Sequence, residues 1–103
     1  MNTFNLKVGE TGAELRVEFV GRPEGIADAT AISLRFQVLD TIYTRAMTPV
    51  SDTAASYAWT EGDFALLNAA MICPCDFKVE TPTGIFYWPK PGKDQIRVEL
   101  PLI

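Results

Sequence analysis

Apolar and polar residues alternate with a period of two along much of this 103-residue chain. The pattern is clearest in four segments, at residues 14–19, 32–38, 75–80 and 96–100. In each, every second side chain is apolar and the intervening ones are polar or charged, as in a strand with one buried and one solvent-facing side. Such strands need a second layer to cover their apolar side. The pattern therefore predicts a two-layer β-sandwich.

Four further strands are predicted at residues 4–8, around 46–50, at 56–59 and at 85–88, which brings the total to about seven or eight. Clusters of Gly, Pro, Asp and Ser separate the segments at the spacing of antiparallel hairpins. The sequence contains no repeat and no linker-like stretch. Residues 1–103 are therefore predicted to form a single all-β domain.

One segment, near residues 61–67, has the pattern of a short helix or 3-10 turn. Thr60 is placed to cap its first turn, and Asp63 is placed to return a hydrogen bond to the backbone of the cap. Phe64 and Leu67 would then face the core. We interpret Thr60 and Asp63 as structural capping residues of an element that closes one end of the sandwich.

Charge and the length of apolar runs argue against nucleic acid and membrane as partners. The net charge is −4, and the nine Lys and Arg residues are scattered singly along the chain. Without a basic stripe to neutralise phosphates, nucleic-acid binding is not expected. Apolar runs are far shorter than the roughly twenty residues of a membrane span, and the first residues lack the features of a signal peptide. We therefore expect no membrane association, and synthesis in the cytosol.

The chain has no histidine, which removes the usual general base and the commonest metal ligand. We interpret the two nearby acids Glu61 and Asp63 as first-turn acids of the helical segment rather than as a glycosidase pair. Cys73 and Cys75 are interpreted as free, packed thiols, because two ligands without histidine do not complete a zinc site. A site shared between subunits is the remaining alternative. We expect a non-enzymatic protein with no cofactor and no metal.

Several segments, taken in chain order, carry a family resemblance. They are residues 8–12, 15–17, 26–36, 57–63, 76–79 and 96–98. In this order they resemble the phage baseplate upper protein N-terminal domain family, over nearly the whole chain and mainly through turn and core residues. The chain departs from that pattern at residues 70–74, where we expect a local rearrangement with a bulge at Pro74.

The resemblance implies an immunoglobulin-like antiparallel β-sandwich that serves as a structural part of a tailed-phage virion. The location would be the baseplate, tail, neck or capsid surface, with the host cytoplasm as the location before assembly. Such a module would dock other virion proteins and copies of itself in a symmetric assembly, without binding a small-molecule substrate. Fold transfers across such a resemblance more safely than role does.

Apolar residues that fit poorly in a buried core are the candidates for that docking. Phe86 and Trp88 lie in a segment that is apolar on both faces. Either an assembly covers both faces, or Phe86 and Trp88 form an exposed aromatic patch, or Trp88 folds under the loop at residues 89–92. Leu102 and Ile103 make the C-terminal residues apolar. We take Phe86, Trp88, Leu102 and Ile103 as the candidate partner interface.

An alternative function rests on two other aromatic residues. Tyr57 and Trp59 lie two apart on one predicted strand, where a pair of exposed rings can stack on sugars. Exposure of both rings would favour a carbohydrate-binding or adhesin-type module. Burial of the rings beneath the helical segment would leave them a structural role.

Overall fold

The computed structural model describes residues 2–19, 26–89 and 92–101, and these residues form an all-β sandwich of two packed sheets, consistent with an immunoglobulin-like fold. The described residues contain nine strands and one 3-10 helix, η1. The strands are β1 (Thr3–Lys7), β2 (Glu14–Glu18), β3 (Ala31–Val38), β4 (Thr41–Ala46), β5 (Thr48–Pro49), β6 (Ala54–Ala58), β7 (Met71–Thr81), β8 (Gly84–Trp88) and β9 (Asp94–Glu99), and η1 spans Glu61–Ala65.

The two sheets differ in size. The larger sheet has the strand order β1-β9-β7-β3-β4, with β8 attached to β7, and the smaller sheet has the order β2-β6-β5. All neighbouring strands are antiparallel except β1 and β9, which run parallel with Thr3 opposite Gln95. The first and last strands of the described chain are therefore side by side.

The long strand β7 pairs with two different strands along one of its edges. Its first half, from Met71 to Cys75, pairs with β9, and its second half, from Phe77 to Thr81, pairs with β8. Its opposite flank pairs with β3. Consequently β8 has a paired neighbour on one side only among the described strands.

The core lies between the sheets and follows the alternation seen in the sequence. Phe77 is at its centre and contacts Phe4 and Phe19 edge-on, with ring centroids 5.9 and 6.1 Å apart. Other fully buried side chains in the core are Val17, Leu34, Phe36, Leu67, Val79 and Ile96. Burying a side chain of this size contributes roughly 1.5–3 kcal/mol, so this shared interior is the main source of stability.

One strand was not predicted. β4 forms a hairpin with β3, with Val38 opposite Thr41 and only Leu39 and Asp40 in the turn. Its side chains are exposed or half-buried, and its sequence TIYTRA carries no apolar alternation. The prediction of seven or eight strands was therefore short by one, because an edge strand need not bury one face continuously.

The bulge expected at Pro74 is absent. The pairing of β7 with β9 runs without interruption from Met71 opposite Val98 to Cys75 opposite Asp94. Thr81 and Gly84 close the β7–β8 hairpin, so Thr81 and every second residue before it direct their backbone N–H and C=O groups toward β8 and β9. Pro74 is one of the intervening residues, and its nitrogen therefore faces β3. Pairing with β3 ends at Cys75, opposite Phe36. The missing N–H of Pro74 therefore falls just beyond that ladder, which explains why a proline is tolerated here.

Candidate docking surface

Asp63, in η1, joins three separate parts of the chain. Its Oδ1 accepts a hydrogen bond from Arg45 Nε at 2.8 Å, and its Oδ2 accepts one from Tyr57 Oη at 2.6 Å. The backbone N–H and the hydroxyl of Thr60 also donate to Oδ2, at 2.9 and 3.1 Å. The side chain of Asp63 is 1% exposed. The carboxylate thus caps η1 and also ties the edge strand β4 to the end of β6.

This arrangement favours the ionised form of Asp63. Burial alone would raise the pKa of the carboxyl group, but the hydrogen bonds from Tyr57, Thr60 and Arg45 outweigh it and hold the pKa below its ordinary value. A carboxylate with a lowered pKa and both oxygens occupied is a poor proton donor near neutral pH. The geometry therefore gives Asp63 a structural task.

Trp59 is buried, so its ring is not available for sugar stacking. It is 3% exposed and meets the rings of Phe36 and Tyr57 edge-on, at 5.8 and 5.2 Å between centroids. Tyr57 is half-buried, and its hydroxyl is committed to Asp63. The pair on which the carbohydrate-binding alternative depended therefore does not form an exposed platform.

The candidate interface residues of β8 lie on the core side of the larger sheet. Trp88 is opposite Phe77 and Phe86 is opposite Val79, and both of those β7 residues point into the core. Trp88 is half-buried and contacts Phe19 at 6.2 Å between ring centroids, while Phe86 is 45% exposed. The structure thus places Trp88 against the core rather than in an outward patch. Leu102 and Ile103 lie outside the described residues.

The outer face of the larger sheet, opposite the core, carries a cluster of exposed apolar side chains at the end near the β3–β4 turn. Leu39 is 92% exposed, Ile42 is 56% exposed and Ile72 is 61% exposed, and Pro74 is also exposed. Leu39, Ile72 and Pro74 line a shallow depression of about 450 Å³, and Ile42 and Pro74 line a second one beside it. We call Leu39, Ile42, Ile72 and Pro74 the hairpin-end patch.

Sequence reasoning missed this patch, although a signal for it exists. Two of its members directly adjoin an inward-facing apolar residue: Leu39 follows Val38, and Ile72 precedes Cys73. Adjacent apolar residues at the end of an alternating strand indicate that one of them faces solvent. Ile42 belongs to β4, which was not predicted as a strand at all.

Leu39 has an unusual backbone conformation for an exposed leucine. Its φ is +56°, a left-handed value that two-residue hairpin turns usually assign to Gly, Asn or Asp. The conformation costs roughly 1–2 kcal/mol for a residue with a Cβ. A strained turn that presents an apolar side chain to solvent is the kind of local conflict found at functional surfaces.

A fixed arginine lies next to the hairpin-end patch. Arg35 donates two hydrogen bonds to Asp76, from Nε at 2.7 Å and from a terminal nitrogen at 2.8 Å. Its guanidinium also lies 4.8 Å from the centre of the Tyr87 ring. The bond to Asp76 raises the pKa of Arg35 further, so the charge is permanent. Arg35 and Tyr87 therefore present preordered polar and aromatic groups on the same outer face.

The two cysteines are buried free thiols on the core side of β7. Burial is the main reason that the pKa of Cys75 rises to about 12, and nearby Asp94 adds to it. A thiol with so high a pKa is neither a nucleophile nor a ready metal ligand at neutral pH. Within the described residues, no group of His, Cys, Asp and Glu side chains is arranged to hold a metal ion.

Comparison with known proteins adds no relative. No family model matches the chain, and no curated protein matches it. Over residues 2–19, 26–89 and 92–101, no helix is long and apolar enough to cross a bilayer.

Proposed function

We propose that this domain is a non-enzymatic docking module of a tailed-phage virion, and that it binds a neighbouring virion protein through the hairpin-end patch. The sequence resemblance is the support for a location in a virion. The docking surface is supported by the exposure of Ile42 and Ile72 on the outer face of the larger sheet and of Leu39 in the adjoining turn. That exposure is the observation on which the proposal depends.

The patch has the composition of a binding surface. Single exposed apolar residues are common on proteins, whereas several of them grouped around one polar side chain, here Gln37, and beside ordered polar residues favour an interaction site. Arg and Tyr are enriched where binding energy is concentrated, and Arg35 and Tyr87 are held in place by their mutual contact and by Asp76. Because these side chains are already ordered, little conformational entropy is lost when a partner covers them.

The proposal is tested by producing the chain together with the products of the genes beside its own. We expect a complex with a virion protein that is stable on size-exclusion chromatography, and detection of the chain in purified particles. Ile72→Asp should weaken that complex at least about tenfold, or ~1.4 kcal/mol, because it places a charge in the centre of the apolar contact. The variant should fold normally, since Ile72 is opposite Arg97 in the sheet, where an acid is well placed.

The matched control is Val50→Asp. Val50 is 47% exposed but follows β5 in the smaller sheet, away from the outer face of the larger one. We expect this variant to bind as the wild type does. Equal binding by wild-type protein, Ile72→Asp and Leu39→Asp would contradict the proposed surface, and absence of the chain from purified particles would contradict the proposed role.

A further inference from the structure

The edge of β8 that faces away from β7 has no paired strand among the described residues, and it differs from the other sheet edges there. Natural proteins protect edge strands with charges, prolines, bulges or very short length, because an open edge pairs readily with another strand. β8 is five residues long, and its sequence, GIFYW, contains no charge and no proline. Ile85 and Tyr87 are 54% and 46% exposed. An uncharged, apolar strand of this length is a pairing site unless something protects it.

Every other edge in the described parts of the sheets carries a protective feature. β2 has three charged residues in the sequence ELRVE, and β5 is only two residues long and contains Pro49. β4 carries the inward-pointing charge of Arg45, which is bonded to Asp63. β1 ends on Lys7. The contrast singles out β8.

Backbone geometry shows which groups of β8 face the open side. Thr81 and Gly84 close a two-residue turn, so they form a hydrogen-bonded pair, and the pairs alternate along an antiparallel ladder. Gly84, Phe86 and Trp88 therefore direct their N–H and C=O groups toward β7. Ile85 and Tyr87 direct theirs away from β7, toward the open edge.

We propose that two copies of this chain pair through β8, antiparallel across a two-fold axis, so that their larger sheets join into one. In the register that places Phe86 opposite Phe86 of the second copy, Ile85 is opposite Tyr87 of that copy. This register is the one in which both outward-facing residues of each strand find partners, giving four backbone hydrogen bonds. Moving the register by one hydrogen-bonded pair in one direction places Pro89 opposite Ile85. Moving it in the other direction places Thr83 opposite Tyr87.

Side chains support a second copy as the occupant. The register gives aromatic and β-branched residues as cross-strand neighbours on the outer face, which are favourable pairs in sheets. No charge on β8 meets a like charge. The flanking residues of β7 are Lys78, opposite Tyr87, and Glu80, opposite Ile85, and these two charges pair with each other within one chain at 3.6 Å, so together they bring no net charge to the contact. β8 is therefore complementary to itself in its backbone hydrogen-bonding groups and in its apolar side chains.

The expected dimer is reversible. Two five-residue strands bury less than the roughly 1,000 Å² of a lasting interface, so we expect association at about 100 µM protein rather than at 1 µM. This inference goes beyond the docking role of the hairpin-end patch, because it uses the backbone edge of β8 and a second copy of this chain. Tyr87 takes part in both, through its ring beside Arg35 in docking and through its backbone in pairing. Ile72→Asp tests docking without changing β8, so the two proposals can fail separately.

Sedimentation equilibrium of the purified full chain tests the pairing. Tyr87→Pro removes an N–H that faces only the open edge, so the ladder with β7 stays complete while the dimer loses two hydrogen bonds. We expect association to weaken at least tenfold. The matched control is Thr44→Pro, which by the same alternation removes an outward-facing N–H from the β4 edge and should leave association unchanged. Circular dichroism checks that both variants fold.

Two double variants test the register. Ile85→Lys with Tyr87→Lys would place like charges opposite each other, whereas Ile85→Lys with Tyr87→Glu would place opposite charges there. Both remove the same apolar side chains, so we expect only the second pair of substitutions to preserve the dimer. A wild-type chain that stays monomeric at about 500 µM would overturn the proposal, given the affinity expected of so small an interface. Equal association of the two double variants, or dissociation by Thr44→Pro instead of Tyr87→Pro, would also overturn it.

Discussion

Replacing Asp63 with Asn changes one atom type and no shape, so it isolates the electrostatic part of the Asp63 contacts. The carboxylate accepts bonds from Arg45 on one oxygen and from Tyr57 and Thr60 on the other. An amide offers a single oxygen, which will serve Tyr57 and Thr60 because more donors converge there. The amide nitrogen then faces Arg45 Nε, so that two donors meet across the former ion pair.

The magnitude follows from burial. A hydrogen bond to a charged group contributes ~1.5–3 kcal/mol, and breaking a fully buried ion pair from one side costs about 3–5 kcal/mol. Arg45 keeps 29% of its side chain exposed, so water can rehydrate its guanidinium in part. We therefore expect Asp63→Asn to lower the free energy of unfolding by about 2–3 kcal/mol, out of the ~5–15 kcal/mol typical of a domain.

Urea unfolding at pH 7, followed by the fluorescence of buried Trp59, measures this loss. The control is Asp76→Asn, which breaks a second arginine–aspartate pair, on the outer face, where Arg35 and Asp76 are 30% and 18% exposed. This pair is bidentate and part-buried, but Asp76 is 18% exposed where Asp63 is 1% exposed, so water can replace part of what is lost and the control should lose less, about 1 kcal/mol. Equal losses in the two variants would refute the assignment of Asp63 as a buried structural anchor.

Two further predictions concern Asp63 and Leu39. Because the folded-state pKa of Asp63 lies below the unfolded value of about 3.9, its stabilising effect is present above that value and is lost as pH falls through the folded pKa. Urea unfolding between pH 5 and pH 2 should therefore show a steeper loss for wild type than for Asp63→Asn, and parallel curves would contradict this. Leu39→Gly should raise stability by about 0.5 kcal/mol, since Gly adopts positive φ freely and little burial is lost. The same variant should weaken docking, and a thermal melt beside the binding assay separates the two effects.

The fold was readable from the sequence because alternation reports burial directly. Leu34, Phe36, Phe77, Val79 and Ile96 were assigned to inner faces from period two alone, and all five are buried. The short helical segment at residues 61–67 could also be predicted from the sequence, since Thr60 and Asp63 have the spacing of a capping box. Where one face of a strand lies in the core and the other faces solvent, apolar and polar residues alternate, and the strand can be predicted from the sequence.

The docking surface was harder to predict, for a physical reason. Whether Phe86 and Trp88 point inward depends on the register of β8 against β7, and a shift of one residue exchanges the two faces of a strand. The short turn at Pro82 and Thr83 sets that register, and residues 85–88 are apolar on both faces and so give no indication of it. The extra bonds from Asp63 to Arg45 and Tyr57 were also beyond local reasoning, because Arg45 lies in the unpredicted β4.

The parallel pairing of β1 with β9 affects the order in which the protein folds. Thr3 lies opposite Gln95, and the backbone N–H of Asn2 donates to the buried carboxylate of Asp94 at 2.8 Å. β1 lies 92 residues ahead of its partner strand in the sequence, so it cannot complete this pairing until β9 has been synthesised. Contacts so distant along the chain slow folding, because a large loop must close before they form. Until β9 has been synthesised, β1 lacks this pairing partner, and its backbone groups would be open to a chaperone or to the ribosome surface.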